Sequence, residues 1–143
     1  MKLGIIGAGN VGGTLGTAWA QKAGHEIFFG VRHPTSDQTQ AVVRRLGGRA
    51  RAGSPAQAAA FGEFIVLTTP WNATEAAIHS MGDLHGKIIL DATNPLAMGP
   101  DGLSLELGHN PAKRCRRGPK ARRSSRRSIR LGSATWPIQS FTE

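Results

Sequence analysis

The sequence contains a single cysteine, Cys115. One cysteine excludes an internal disulfide framework and a cysteine-rich zinc site. The scarcity fits a reducing compartment, and the expected location is cytoplasmic. No apolar run approaches the roughly 20 residues of a membrane-spanning helix, so no membrane association is expected. The first residues imitate a secretory leader, with Lys2, an apolar stretch and Ala18-Trp19-Ala20. Gly4, Gly7, Gly9, Asn10, Gly12, Gly13 and Gly16 interrupt that stretch and argue against a leader. His25, His79, His85 and His109 lack metal-ligand spacing, and no nucleophile–base pair stands out. No metal ligand and no catalytic side chain is therefore expected.

Acid is the other scarcity, and it is local. Residues 1–110 hold eight Lys/Arg and eight Asp/Glu, whereas residues 111–143 hold ten Lys/Arg and only Glu143. The whole net charge of +9 thus belongs to the last segment. Body and tail need separate arguments. At 143 residues the chain has room for one sizeable core.

The body alternates two periodicities. Lys2–Ile6, Glu26–Val31, Phe64–Thr68 and Lys87–Asp91 are short, mainly apolar runs of the kind that form buried parallel strands, and Arg49–Ala52 is a further short strand. Between them lie helical stretches. Val11–Ala23 carries Leu15, Ala18, Trp19 and Ala23 at helical spacing and stops at Gly24. Gln38–Leu46 places Ala41, Val42 and Leu46 on one face. Ser54-Pro55 is an N-cap followed by proline, opening a helix through Phe61. Asn72–Met81 is the last. Strands separated by one helix each predict an α/β protein with a doubly wound parallel sheet.

Gly7-Ala8-Gly9-Asn10-Val11-Gly12 is G-x-G-x-x-G, placed between a strand and a helix. That context makes it a dinucleotide signature rather than a chance match. Gly7 permits a tight turn, Gly9 lets a pyrophosphate approach the backbone, and Gly12 lets helix and strand pack closely. The free N–H groups and positive end of the helix favour the phosphates.

The end of the second strand lacks the acid that usually bonds the ribose 2′-hydroxyl of NAD. It reads Gly30-Val31-Arg32-His33-Pro34 instead. Arg32 suits a 2′-phosphate, with His33 as a further donor, and the cofactor is expected to be NADP. The alternative is a pair of solvated basic residues on a loop. Two further strand ends, Thr68-Thr69-Pro70-Trp71 and Asp91-Ala92-Thr93-Asn94-Pro95-Leu96, are expected to line the same crevice. Thr69 and Asn94 offer hydrogen bonds to ribose or nicotinamide. Trp71 is either a stacking wall or core packing.

The run Met1–Gly12, the Val31-Arg32 strand end, Pro70-Trp71 and the run Asp91–Leu96 together resemble the NADPH-dependent reductases of coenzyme F420. The resemblance covers roughly residues 1–110. It implies a Rossmann domain that binds NADP and passes hydride between the nicotinamide and a deazaflavin, a small-molecule redox partner. It also implies that Gly7, Gly9, Asn10, Val11 and Gly12 hold the pyrophosphate, and Arg32 and His33 the 2′-phosphate. Thr69, Pro70 and Asn94 would border the nicotinamide. The chemistry would be the cofactors' own. Homo-oligomers occur in such a family. A non-catalytic or truncated dinucleotide-binding module is the alternative reading.

Residues 111–143 depart from the resemblance. The family continues with a helix and a strand, but here the text is Arg/Ser-rich and aperiodic. One reading is a nucleic-acid-binding arm whose contacts are non-specific and salt-sensitive. Aromatic interleaving for base stacking is missing from the basic stretch. The other is an out-of-frame translation. Moving the frame forward two nucleotides from the Asn110 codon, with permissive codons, yields an apolar-periodic helix and then a strand without basic excess. Trp136 has one codon, and it falls inside the codons of a restored Met-Ala. The expectation is therefore a sheet incomplete at its C-terminal side and a disordered basic tail.

Overall fold

The computed structural model describes residues 1–99 and 102–105. The basic segment 111–143, with its expected disorder and frame, lies outside the described residues, as do His109 and Cys115. Five strands form one sheet: β1 (Lys2–Ile6), β2 (Glu26–Gly30), β3 (Ala50–Gly53), β4 (Phe64–Leu67) and β5 (Ile88–Asp91). Their order is β3-β2-β1-β4-β5, parallel throughout. The helices between them are α1 (Asn10–Ala23), α2 (Asp37–Arg45), α3 (Pro55–Phe61) and α4 (Trp71–Ser80). This is the predicted Rossmann-like doubly wound arrangement. The order reverses beside β1, whose neighbours are β2 and β4. The crevice at their carboxyl ends is where such sheets bind ligands.

The strand residues separate onto two faces because successive side chains point oppositely. Leu3, Ile5, Ile27, Phe29 and Val66 join Ala20 of α1 and Leu46 beyond α2 on one face. Ile6, Ile65 and Leu67 join Ala58 and Ala59 of α3 and Ile78 of α4 on the other. The helix starts are capped as their sequences dictate. Ser36 Oγ accepts from Thr39 N–H at 3.4 Å before α2. Ser54 and Gln57 form a reciprocal capping box before α3, with N···O distances of 2.9 and 3.2 Å. α3 sits unusually close to the sheet. A Cβ on Gly30 would lie 2.8 Å from Ala58 Cβ and 2.9 Å from Pro55 Cα. A Cβ on Gly4 would strike the Ala58 carbonyl oxygen.

Three details differ from the expectations. The buried stripe of α1 is Gly12, Gly16 and Ala20, while Leu15, Ala18 and Trp19 are half-buried and Ala23 is exposed. Close packing explains it, since a Cβ on Gly16 would lie 2.6 Å from the Phe29 ring. In α2, Ala41 is exposed and Thr39 is the buried residue. Finally, an antiparallel hairpin of β6 (Leu96–Gly99) and β7 (Gly102–Leu105) follows the sheet, with Gly99 paired to Gly102. Among the described residues β5 is the edge of the five-stranded sheet, and its Ile88, Ile89 and Leu90 are only partly covered.

Candidate functional site

The glycine turn joins β1 to α1 at the carboxyl edge of the sheet. Gly7 has φ 107°, a conformation that disfavours any side chain. Its N–H donates to the Gly30 carbonyl at 2.9 Å, which ties the turn to the end of β2. Gly9 is the N-cap of α1 and contributes no side-chain cap. The first helical bond, Gly13 N–H to Gly9 O, is 2.7 Å. The earlier amides of the first turn therefore have no partner within the helix. No acidic residue occupies that turn, so nothing there offsets the positive end of the helix dipole. A Cβ on Gly9 would meet nothing within 4 Å. A Cβ on Gly12 would strike the Gly7 carbonyl. The three glycines thus give a left-handed turn, an open space and a close helix contact.

Thr68, immediately after β4, completes the turn. Its N–H donates to the Ile6 carbonyl at 3.0 Å. Its hydroxyl lies 2.9 Å from the Ile6 oxygen and 3.1 Å from the Gly7 oxygen, in donor geometry to both. Sequence reasoning placed Thr68 in the crevice but gave it no role. The signal was a polar residue closing an otherwise apolar strand.

Arg32 and His33 follow β2, and both are exposed. Val31 N–H bonds to the Gly53 carbonyl at 2.9 Å, which fixes the chain just before them. Neither side chain makes a hydrogen bond or ion pair with another described residue. The loop is closed by Ser36 N–H to His33 O at 3.2 Å and by Gln40 Nε2 to Pro34 O at 2.7 Å. Arg32 and His33 are therefore held on a hydrogen-bonded loop beside the glycine turn, exposed to solvent.

The other strand ends divide the expected roles. Thr69 is half-buried, and its hydroxyl lies 2.8 Å from that of Thr74. Thr74 is fully buried, and its hydroxyl donates to the Pro70 carbonyl at 3.0 Å. Either hydroxyl can be the donor in the Thr69–Thr74 pair. Pro70 is exposed and N-caps α4. Trp71 is only 8% exposed, so it packs in the core and is not a stacking wall. After β5, Asp91 Oδ1 accepts from Thr93 N–H at 3.0 Å and from its hydroxyl at 2.7 Å. That turn leaves Asn94 exposed at the crevice edge. Asn10 and Val11 are also exposed, Val11 by 49%, in the first turn of α1. Among the described residues no group of His, Cys, Asp and Glu is arranged to hold a metal ion, and no helix is long and apolar enough to cross a membrane.

A parallel sheet in this order, with a glycine turn and an uncapped helix end at its switch point, defines a dinucleotide-binding α/β domain. Residues 2–95 match the family of NADP oxidoreductases described as coenzyme F420-dependent, and the chain belongs to that family. It is similar in structure to a protein from Arthrobacter sp. FB24 assigned as an F420-dependent NADP reductase. That match has 27% identity and a TM-score of 0.71, over 82% of this chain and 57% of the other. A hypothetical protein from Sinorhizobium meliloti shares the fold at 22% identity and TM-score 0.64, over 77% and 52% of the two chains. A reductive aminase from Aspergillus terreus, solved with NADPH and ethyl-5-oxohexanoate, matches at 27% identity and TM-score 0.54. It aligns over 65% of this chain and 31% of its own. The chain therefore spans little more than half the length of the first two relatives. No curated protein matches it.

Proposed function

We propose that this chain is the NADP(H)-holding part of an oxidoreductase that moves hydride between NADPH and a deazaflavin such as coenzyme F420. The observation that carries the reading is the uncapped, acid-free start of α1 beside the unpaired Arg32, with no carboxylate between them at the end of β2. The residues fit the cofactor. The space over Gly9 is open, the first-turn amides of α1 are free to donate, and Asn10, Val11 and Gly12 surround them. Arg32 takes the 2′-phosphate, with His33 as a second donor. Thr69, Pro70 and Asn94 border the nicotinamide. When bound, the dihydronicotinamide supplies the hydride, and the protein supplies position.

The relatives' names support the deazaflavin as redox partner. The Arthrobacter protein is assigned as F420-dependent, and the family carries the same description. The Aspergillus enzyme, solved with NADPH, supports the cofactor. The test is calorimetric titration of the full chain with NADPH and NADH, followed by a deazaflavin-reduction assay. NADPH should bind more tightly than NADH. Equal affinity, or no binding of either, overturns the cofactor assignment. Binding without reduction would favour a dinucleotide-binding module that does not turn over.

A further inference from the structure

The G-x-G-x-x-G motif of this chain has a fourth member on another strand. The Thr68 hydroxyl sits between the first and last glycines of the motif. A Cβ built on Gly7 would lie 3.0 Å from Thr68 Oγ1, and one built on Gly12 would lie 2.5 Å from it. The same hydroxyl reaches the Ile6 and Gly7 carbonyls across more than sixty residues of chain, |i−j| being 62 and 61. Gly7 carries φ 107° and lies beyond the β1–β4 ladder, which ends at Ile6 opposite Leu67. We propose that Thr68 is a positioning residue for the pyrophosphate. Its hydroxyl holds the Gly7 carbonyl and thereby sets the direction of the first-turn amides of α1.

The argument is geometric. Gly7 to Gly12 is the only covalent link between β1 and the donors of α1, and the turn within it is left-handed. Gly7 N–H is anchored to Gly30, and Gly7 O to Thr68. The peptide groups on both sides of the Gly7 Cα are therefore fixed by two different strands, β2 and the end of β4. Thr68 itself has little freedom, because its N–H is held in the ladder to Ile6. Gly12 closes against both partners, so the helix start seats on the Gly7–Thr68 pair. Valine at position 68 would keep the shape and lose the hydroxyl. The Gly7 carbonyl would then face a methyl group, and the turn would relax. Amides aimed at a pyrophosphate lose strength steeply with angle.

This inference rests on the proposed NADP site, and the experiment separates the two. Full-chain wild type, Thr68→Val and Thr68→Ser are titrated with NADPH and with adenosine 2′-monophosphate, which engages the Arg32 end without a pyrophosphate. Thr68→Val should weaken NADPH binding about two- to tenfold, the worth of one hydrogen bond. It should leave adenosine 2′-monophosphate unchanged, and Thr68→Ser should restore NADPH affinity. Should Thr68→Val fail to fold, Thr68→Ala takes its place with the same expectations. Equal losses for both ligands would make Thr68 a general structural residue and overturn the proposal. So would undiminished NADPH affinity. Wild type that binds neither ligand would instead overturn the cofactor reading beneath it.

Discussion

The N–H of Gly7 donates to the carbonyl of Gly30 at 2.9 Å, and Arg32 stands two residues past that carbonyl. One hydrogen bond therefore joins the loop assigned to the pyrophosphate to the loop assigned to the 2′-phosphate. Two anion sites that are distant in sequence share a rigid base, and their separation is set by the β1–β2 register, Ile6 opposite Gly30.

Arg32→Ala should separate cofactor identity from cofactor binding. The side chain is exposed and has no described partner, so the fold should be unaffected. NADPH should bind more weakly by about 1.5–3 kcal/mol, the range for a hydrogen bond to a charged group. NADH should change little. Calorimetry with both nucleotides checks this, and parallel losses would remove Arg32 from the 2′-phosphate.

Two alanine substitutions in one motif should fail differently. A methyl on Gly12 meets the Gly7 carbonyl and Thr68 Oγ1, neither of which can yield freely. Gly12→Ala should destabilise the protein by about 1–3 kcal/mol, visible as a lowered Tm. A methyl on Gly9 meets nothing within 4 Å, and Gly9 has φ −74°, which alanine tolerates. Gly9→Ala should keep its Tm within the small range of surface changes. It should still lose NADPH affinity, because the methyl occupies the approach to the amides. Thermal melts with and without NADPH distinguish the two outcomes.

The basic segment makes a prediction of its own. DNA binding by the full chain should be independent of sequence. With roughly six or more phosphates contacted, affinity should fall about a thousandfold or more between 50 and 200 mM salt. Fluorescence anisotropy with two unrelated duplexes over that range tests it. A sequence-preferring complex that survives high salt would revive the nucleic-acid function.

Restoring the reading frame after Asn110 should restore turnover. Hydride transfer needs the acceptor within about 3–3.5 Å of the nicotinamide, and a 1 Å misplacement costs about a hundredfold. Deazaflavin reduction by the frame-restored chain should exceed that of the present chain by a large factor. Comparable rates would show that residues 111–143 are not a lesion. Sequencing the coding DNA across codons 105–143 tests the premise directly.

The sheet was legible because most of its strands are apolar runs bounded by glycine or a polar residue, as in Phe64–Leu67 between Glu63 and Thr68. The glycine turn was legible because its three glycines answer three separate steric demands. What escaped was packing between small residues. Helical spacing of apolar side chains pointed to Leu15, Ala18, Trp19 and Ala23, yet the buried stripe of α1 is Gly12, Gly16 and Ala20, with Gly16 seated against the Phe29 ring and Gly12 against the Gly7 carbonyl and Thr68. The β6–β7 hairpin was missed although Gly99-Pro100-Asp101-Gly102 is strong turn chemistry. The pairings of Thr68 and Thr74 join residues that periodicity cannot relate, Thr68 to a turn sixty residues earlier and Thr74 to the strand end that precedes its own helix.

Gly30 and Arg32 differ sharply in what they permit. Gly30 carries the Gly7 bond on its carbonyl and has Ala58 and Pro55 pressed against its Cα, so no other residue fits there without moving α3. The Arg32 side chain is exposed and makes no hydrogen bond or ion pair with another described residue. If Arg32 holds the 2′-phosphate as proposed, nucleotide preference is open to revision at one exposed site while the platform beneath it stays fixed. A lineage, or an engineer, exchanging the basic side chain for an acidic one would alter which nucleotide is chosen without first having to rebuild the domain.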